Sequence, residues 1–206
     1  MRVLDLFSGE HSVGKVASAL GYEVVSLDLS DATICCNILK WEYKTAFSVG
    51  YFDMIWASPP CDTFSKMRHS NVGRYGVTME TIQRDISLNG LPILRRTEEI
   101  IDYFKPPLYF IETPQTGRMK DYISDRPYYD VDYCKYSDWG MRKKTRIWTN
   151  KIGFEPKVCN RDCGFMKDGR HIRCAAGGNK NTKGQGGTDK RLRYRIPPLL
   201  IEELLV

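Results

Sequence analysis

Residues Asp53 to Ser65 read DMIWASPPCDTFS, an apolar strand-like run that ends in two prolines and then a thiol. Two chemistries use a loop of this shape. An aromatic at position 61 would suit methylation of an exocyclic amine, whereas a thiol suits covalent attack on a pyrimidine ring. A ring carbon of cytosine is a poor nucleophile. Thiolate addition at C6 makes C5 enamine-like, provided that a partner at N3 lets the ring take up the electrons. That chemistry needs a thiol on a rigid loop and a carboxylate to hold N3 and the exocyclic amine. Cys61 follows Pro59 and Pro60, which restrict the loop. Glu112 ends the next apolar strand-like run, LYFIET, so the two side chains are expected to project from one sheet edge. Taken singly, each has a plainer interpretation: a small buried side chain at a strand end, and a solvated carboxylate before a turn. Their joint placement, with Phe64-Ser65 after the cysteine and Pro114 after the glutamate, favours the chemical one.

The elements that must position these groups follow from periodicity. RVLDLF (2–7) reads as a strand ending at Ser8-Gly9. SVGKVASAL (12–20) has helical spacing, with Ser12 as N-cap and Gly21 just past its end. YEVVSLDL (22–29) is the next strand, which completes a βαβ unit and implies a parallel sheet with a right-handed crossover. ATICCNIL (32–39) is a weaker third strand and YFDMIWAS (51–58) a fourth, apolar enough to be covered on both faces. Residues 62–90 are expected to form a long polar loop. An amphipathic helix (91–104), a fifth strand (108–113) and a short helix (117–123) follow. YYDVDYCKY (128–136) and KTRIWTN (144–150) then pair as an antiparallel hairpin around Asp138-Trp139-Gly140. From Ile152 to Tyr194 periodicity fades into a loop-rich or partly disordered segment that includes AAGGNKNTKGQGG. IPPLLIEELLV (196–206) is expected to pack back as a terminal helix. The implied division is a catalytic domain over 1–150, a basic recognition segment over 151–195 and the terminal helix over 196–206.

In doubly wound folds ligands sit at the carboxyl ends of the strands. Those ends carry Ser8-Gly9, Asp28, Asn37 and Ser58-Pro59. Gly9 permits close backbone approach. Asp28 stands where a carboxylate can accept from both ribose hydroxyls, and Asn37 where an adenine amino group would lie. No G-x-G-x-x-G is present, so a turn glycine with a solvated aspartate stays open as the alternative.

Charge is unevenly distributed. The net charge is +6, yet Arg142 to Arg195 holds sixteen Lys/Arg against four Asp/Glu, a local +12, which leaves about −6 for the rest. One basic end on an acidic body suits a polyanion such as DNA, a solvated face being the alternative. Seven cysteines without a regular framework, and an N-terminus that begins directly on a strand, lead us to expect a reducing intracellular compartment: the cytoplasm, or a host cell if the gene is viral. No apolar run approaches a membrane span, and a monomer is expected. Cys159, Cys163, His171 and Cys174, spaced C-x3-C-x7-H-x2-C, could hold zinc in a stretch too poor in apolar groups to fold alone, or be free thiols in a DNA-facing loop.

These segments, in this order, resemble the cytosine-C5 DNA methyltransferases over roughly the first 150 residues. DLFSG (5–9) resembles the first cofactor motif, CNI (36–38) the adenine-side motif, SPPCDTFS (58–65) the Pro-Cys nucleophile motif and FIETP (110–114) the Glu-Asn-Val motif. WGMRKKTRIW (139–148) is similar to the Gln-x-Arg-x-Arg motif, with Arg142 at the Gln position and Lys144 at the first arginine. The compact chain, without the closing Gly-Asn motif, is similar to forms encoded by phages and large DNA viruses. The resemblance implies a Rossmann-like α/β fold that uses S-adenosylmethionine, bound by Phe7, Ser8, Gly9, Asp28, Leu29, Asn37, Ile38, Ser58 and Pro59. It implies Cys61 as nucleophile, Glu112 at N3, and Arg146 with Lys144 in support, but no catalytic metal. Pro60, Phe64, Ser65, Lys66, Arg68, Arg142, Lys143, Arg170 and Arg173 would meet substrate DNA, with the target base flipped out and 62–90 closing over it. The other readings are a tRNA cytosine or amino methyltransferase, and a DNA-binding relative that has lost turnover.

Overall fold

A computed structural model describes residues 1–175 and 188–206; most of the glycine-lysine-asparagine tract expected to be loop lies outside these residues. In chain order the strands are β1 (Arg2–Leu6), β2 (Glu23–Asp28), β3 (Ile34–Cys35), β4 (Met54–Ala57), β5 (Leu108–Pro114), β6 (Tyr128–Asp132) and β7 (Lys144–Thr149). They form one sheet in the order β3-β2-β1-β4-β5-β7-β6. β1 to β5 run parallel, and β7 pairs antiparallel with both β5 and β6. This is the expected α/β Rossmann-like sheet, with its switch point between β1 and β4.

Side chains alternate between two buried layers, as the pleat requires. Leu4, Leu6, Ile55 and Ile111 face one layer with Leu94, Ile101 and Phe104 of α5 (Leu91–Phe104). Val3, Met54, Trp56 and Phe110 face the other with Val13 and Val16 of α1 (Ser12–Ala19) and Leu200 and Leu204 of α7 (Pro198–Leu205). The terminal helix α7 thus packs back on α1, as its apolar pattern predicts.

Several local expectations change. Ser12 is inside α1 rather than capping it. The cap position is His11, in left-handed conformation, and the Ser12 hydroxyl instead accepts the Ile196 N–H at 3.1 Å, at the entry to α7. The third strand shrinks to two residues, because Asn37 caps a 3₁₀ turn over Ile38–Lys40. The 62–90 stretch is mostly helical: a 3₁₀ turn (Asp62–Phe64), α3 (Lys66–Ser70), α4 (Met79–Asp85) and a π-turn (Ile86–Gly90) that runs into α5. Its polar residues cap helices. The Ser65 hydroxyl accepts the Met67 N–H at 3.2 Å, and Thr78 with Thr81 forms a reciprocal capping box. Pro92, lacking an N–H, cannot continue the ladder toward Leu88, which accounts for the π-turn before it. In the basic segment, the two-residue strands β8 (Met166–Lys167) and β9 (Arg170–His171) pair with each other, and α6 (Lys190–Tyr194) is capped by Asp189. α2 (Tyr43–Ala46) completes the helices named here.

Candidate active site at the carboxyl edge of the sheet

Parallel β1, β4 and β5 end at one edge of the sheet. β7 is antiparallel to β5, so it starts at that edge, and β6 ends there. The topology therefore gathers Phe7–Gly9, Ser58–Cys61, Glu112, Tyr133-Cys134 and Lys143 in one place, although Phe7 and Lys143 are 136 residues apart in sequence.

Glu112 is buried at 6% exposure. The Tyr133 hydroxyl donates to its Oε1 at 3.0 Å, and Lys143 Nζ lies 3.3 Å from the same oxygen. Lys143 also sits over the Tyr133 ring, 4.7 Å from its centroid, and its carbonyl accepts the Tyr133 N–H at 3.2 Å. Both contacts fall on Oε1; among the described residues Oε2 accepts no hydrogen bond, which leaves it for a ligand. Burial, then the charge of Glu112, holds the Tyr133 phenol well above its usual range, so it remains a donor.

Cys61 occupies the turn after Pro60, half-buried. Burial first, and then the Glu112 charge, push its thiol up from 9.0 to about 11, while Lys143 works in the opposite sense. Thiol, carboxylate and ammonium therefore share one electrostatic neighbourhood. The loop that carries Cys61 is pinned from behind. A Cβ built on Gly90 would lie 2.3 Å from Thr63 Oγ1 and 2.7 Å from Phe64 Cε2, so only glycine lets the π-turn close on it. Phe64, expected at the substrate face, is instead fully buried against Tyr122. Ser65 caps α3, and Arg68 pairs with Asp85; Pro60 and Lys66 are exposed.

The motif cations separate. Arg146 makes a bidentate pair with Asp130, both contacts at 2.8 Å, and stacks 3.6 Å from the Tyr128 ring centroid, so it does not touch Glu112. Register explains this: Glu112 opposes Ile147, while Arg146 opposes Thr113 on the other face. Lys144 is exposed. Arg142 binds Asp132 at 2.8 Å. Lys143, grouped from sequence with the DNA contacts, is the cation that reaches Glu112, and Tyr133 was not foreseen. No motif marks Tyr133, and only the hairpin geometry could have found it.

The β1 end forms the second half of the site. Phe7, Gly9 and His11 all have positive φ, at 63°, 47° and 55°. Strain of this kind in a non-glycine residue must be held by its surroundings; here the Phe7 and Ser8 N–H groups both donate to the Leu27 carbonyl. Asp28 accepts the Gly9 N–H at 2.9 Å and the Leu29 N–H at 2.6 Å, which fixes its carboxylate beside the loop. Leu29 is 73% exposed at this edge. The Ser8 hydroxyl and Asp5 Oδ2 are buried without a partner among the described residues. Burial raises the Asp5 carboxyl from 3.8 to about 7. Asn37 spends its carbonyl oxygen on Leu39 N–H, and the Ile38 side chain is buried in the core, which leaves only its backbone for any ligand. Ser58 Oγ accepts from Trp56 Nε1 at 3.2 Å, and Pro59 is buried. Two concavities, of about 720 and 520 Å³, lie along α5 and α1, apart from Cys61 and Glu112.

The cysteine-histidine cluster also changes. Cys134, Cys159, Cys163 and His171 bring their sulfur and ring-nitrogen atoms within 4.8 Å of one another. Cys174, one of the four expected ligands, is not in this group; its carbonyl accepts from Thr188. Cys134, on the turn after β6, takes its place. The basic segment is fastened to the same turn, since Asp132 N–H donates to Lys157 O at 3.1 Å and Asp132 Oδ2 accepts the Cys159 N–H at 2.8 Å. Arg170 and Arg173 are exposed, Arg173 bonding its N–H to Gly140 O.

A mainly parallel seven-strand sheet with this edge is the Rossmann-like methyltransferase fold. A solved structure of the Entamoeba histolytica methyltransferase EhMeth shares it, with a TM-score of 0.51 at 13% identity over 77% of this chain; the chain spans 55% of that structure's length. A mutant DNMT2 from Spodoptera frugiperda overlays at a TM-score of 0.45 and 14% identity, covering 77% of this chain and 53% of its own. No family model matches. The chain belongs to the DNA (cytosine-5)-methyltransferase family: it is 47% identical, over an alignment of 214 residues, to the "Probable DNA (cytosine-5)-methyltransferase" of Frog virus 3 (isolate Goorha), covering 100% of this chain and 99% of that protein. Among the described residues, no helix is long and apolar enough to cross a membrane.

Proposed function

We propose that this chain transfers a methyl group from S-adenosylmethionine to C5 of cytosine in DNA, through an adduct between Cys61 and a flipped base. The observation that carries the proposal is the convergence of Cys61, Glu112, Lys143 and Tyr133 at the sheet edge beside the Phe7–Gly9 turn.

The residues at the β1 end fit the cofactor. The unpartnered Ser8 hydroxyl, the close-approach turn at Gly9, the fixed Asp28 carboxylate and the exposed apolar Leu29 offer polar and stacking groups of the right kinds. Bound there, S-adenosylmethionine supplies an electrophilic methyl group. Cys61 rests as a thiol, so its proton must leave as the base enters. The carboxylate whose charge it feels most strongly is Glu112, and that group accepts the proton. The thiolate then adds to C6, and Glu112 passes the proton to N3, so the ring takes up the electron pair without net charge build-up. Lys143 and Tyr133 hold Oε1 and aim Oε2 at the base edge. After C5 is methylated, the C5 proton leaves to solvent water, its electron pair restores the C5–C6 double bond and expels the thiolate, and N3 returns its proton through Glu112 to the Cys61 sulfur. The basic segment 151–195, with Arg170 and Arg173 exposed, and Lys66 near the catalytic turn meet phosphates. Arg68 and Arg142, already paired, shape their own turns.

Incubation with labelled S-adenosylmethionine and duplex DNA tests the proposal. Label should enter C5 of cytosine with the wild type and not with Cys61→Ala, and a 5-fluorocytosine duplex should trap a covalent complex. Label in an exocyclic amine or only in tRNA would move the substrate, and equal labelling by Cys61→Ala would overturn the mechanism.

A further inference from the structure

We propose that Cys134, Cys159, Cys163 and His171 hold one zinc ion in tetrahedral coordination, and that this ion pins the basic segment to the sheet edge that carries Glu112. Three sulfurs and one imidazole converge from three separate stretches of chain, with Cys134, Cys159 and His171 buried and Cys163 partly so. His171 Nε2 lies 3.4 Å from Cys159 Sγ and 3.3 Å from Cys163 Sγ. Tetrahedral zinc, with Zn–S of ~2.3 Å and Zn–N of ~2.0–2.1 Å, sets S···N at about 3.6 Å, so small adjustments complete the site and Nε2 is the ligating nitrogen. Soft thiolates with one imidazole select zinc over hard cations, and a closed set of four protein ligands marks a structural ion rather than one that binds water.

The surroundings fit. Three thiolates and a neutral imidazole around a divalent ion carry one net negative charge, and Lys135 and Arg142 bind carboxylates at the cluster's rim through Asp162 and Asp132. The segment also needs such a tie. From Lys151 to Ala175 only Phe154, Cys159 and His171 are buried, and the strands in that stretch are two residues long. A stretch so poor in core folds on a metal rather than on apolar contact. The position has a consequence for the candidate site. Cys134 directly follows Tyr133, whose hydroxyl holds Glu112, and Asp132 ties Cys159 N–H to Arg142, the neighbour of Lys143. Both donors to Glu112 Oε1 are thus one residue from the metal shell or its anchor.

Metal analysis of the full chain purified under reducing conditions tests this without recourse to activity. One zinc per chain is expected, and cobalt substitution should show thiolate-to-cobalt charge transfer. Cys174→Ser should keep the metal at wild-type affinity, whereas Cys134→Ser should weaken zinc binding by on the order of a hundredfold or more. If Cys134→Ser fails to fold, Cys134→His keeps four ligands and should retain one cobalt with the charge-transfer band cut by about a third, as one of three sulfurs is lost. Absence of zinc and of cobalt charge transfer in the reduced wild type would overturn the proposal. So would loss of metal from Cys174→Ser with retention in both Cys134 variants.

Discussion

Replacing Glu112 with glutamine should make Cys61 more reactive and the enzyme much less active. The Cys61 thiol stands at about 11 against an ordinary 9.0, with burial as the first cause and the Glu112 charge as the second. At pH 8 only about one thiol in a thousand is then ionised. Glu112→Gln keeps the shape and removes the charge, so the thiol should fall toward 9.0 without reaching it. For a fall of about one pKa unit, the thiolate fraction rises about tenfold while intrinsic nucleophilicity drops about threefold, a net acceleration of roughly three- to fourfold. Peptide-resolved mass spectrometry of iodoacetamide labelling reads Cys61 apart from the other six cysteines. In the wild type the rate should climb about tenfold per pH unit until it levels near 11. Methyl transfer by the same variant should fall by roughly a hundredfold or more, because the proton relay to N3 is lost. Unchanged or slower alkylation in Glu112→Gln would show that the carboxylate does not act on the thiol, and the relay would fail with it.

Lys143→Met should move the thiol the other way, with slower Cys61 alkylation and at least tenfold lower kcat, whereas Arg146→Lys, remote from Glu112, should leave Cys61 alkylation unchanged. Tyr133→Phe should cost about tenfold in kcat with little change in KM for DNA, measured by steady-state methylation. Asp5, buried and raised to about 7, binds its proton more tightly folded than unfolded, so its contribution to stability is fully present below about pH 4 and is lost as pH rises to about 7. Asp5→Asn should flatten that fall, worth up to roughly 4 kcal/mol at pH 8, read by urea denaturation across pH in the absence of cofactor. Gly90→Ala should destabilise by about 1–3 kcal/mol and lower kcat as the Cys61 turn shifts, seen in thermal melts and turnover.

Strand and helix types were legible because they follow local periodicity. The apolar run before Pro59, the amphipathic stretch 91–104 and the terminal helix needed no distant partner to declare themselves. Cys61 and Glu112 were legible for the same reason: each sits at a strand end, and parallel strands joined by crossovers place their ends on one edge. The polar stretch 62–90 misled because its serines and threonines cap helices rather than fill a loop, and helices of three to seven residues are too short to show a period that would set a cap apart from a turn residue. What the tertiary structure alone decided is partnership across strands. Arg146 and Lys143 are three residues apart on one cationic run, yet the register of β7 against β6 sets Arg146 opposite Asp130, while Lys143, just before β7, is left beside Glu112. Likewise Cys134 joins Cys159, Cys163 and His171 because Asp132, at the end of β6, binds Lys157 and Cys159 and draws the basic segment onto that turn, a contact that no spacing along the chain records.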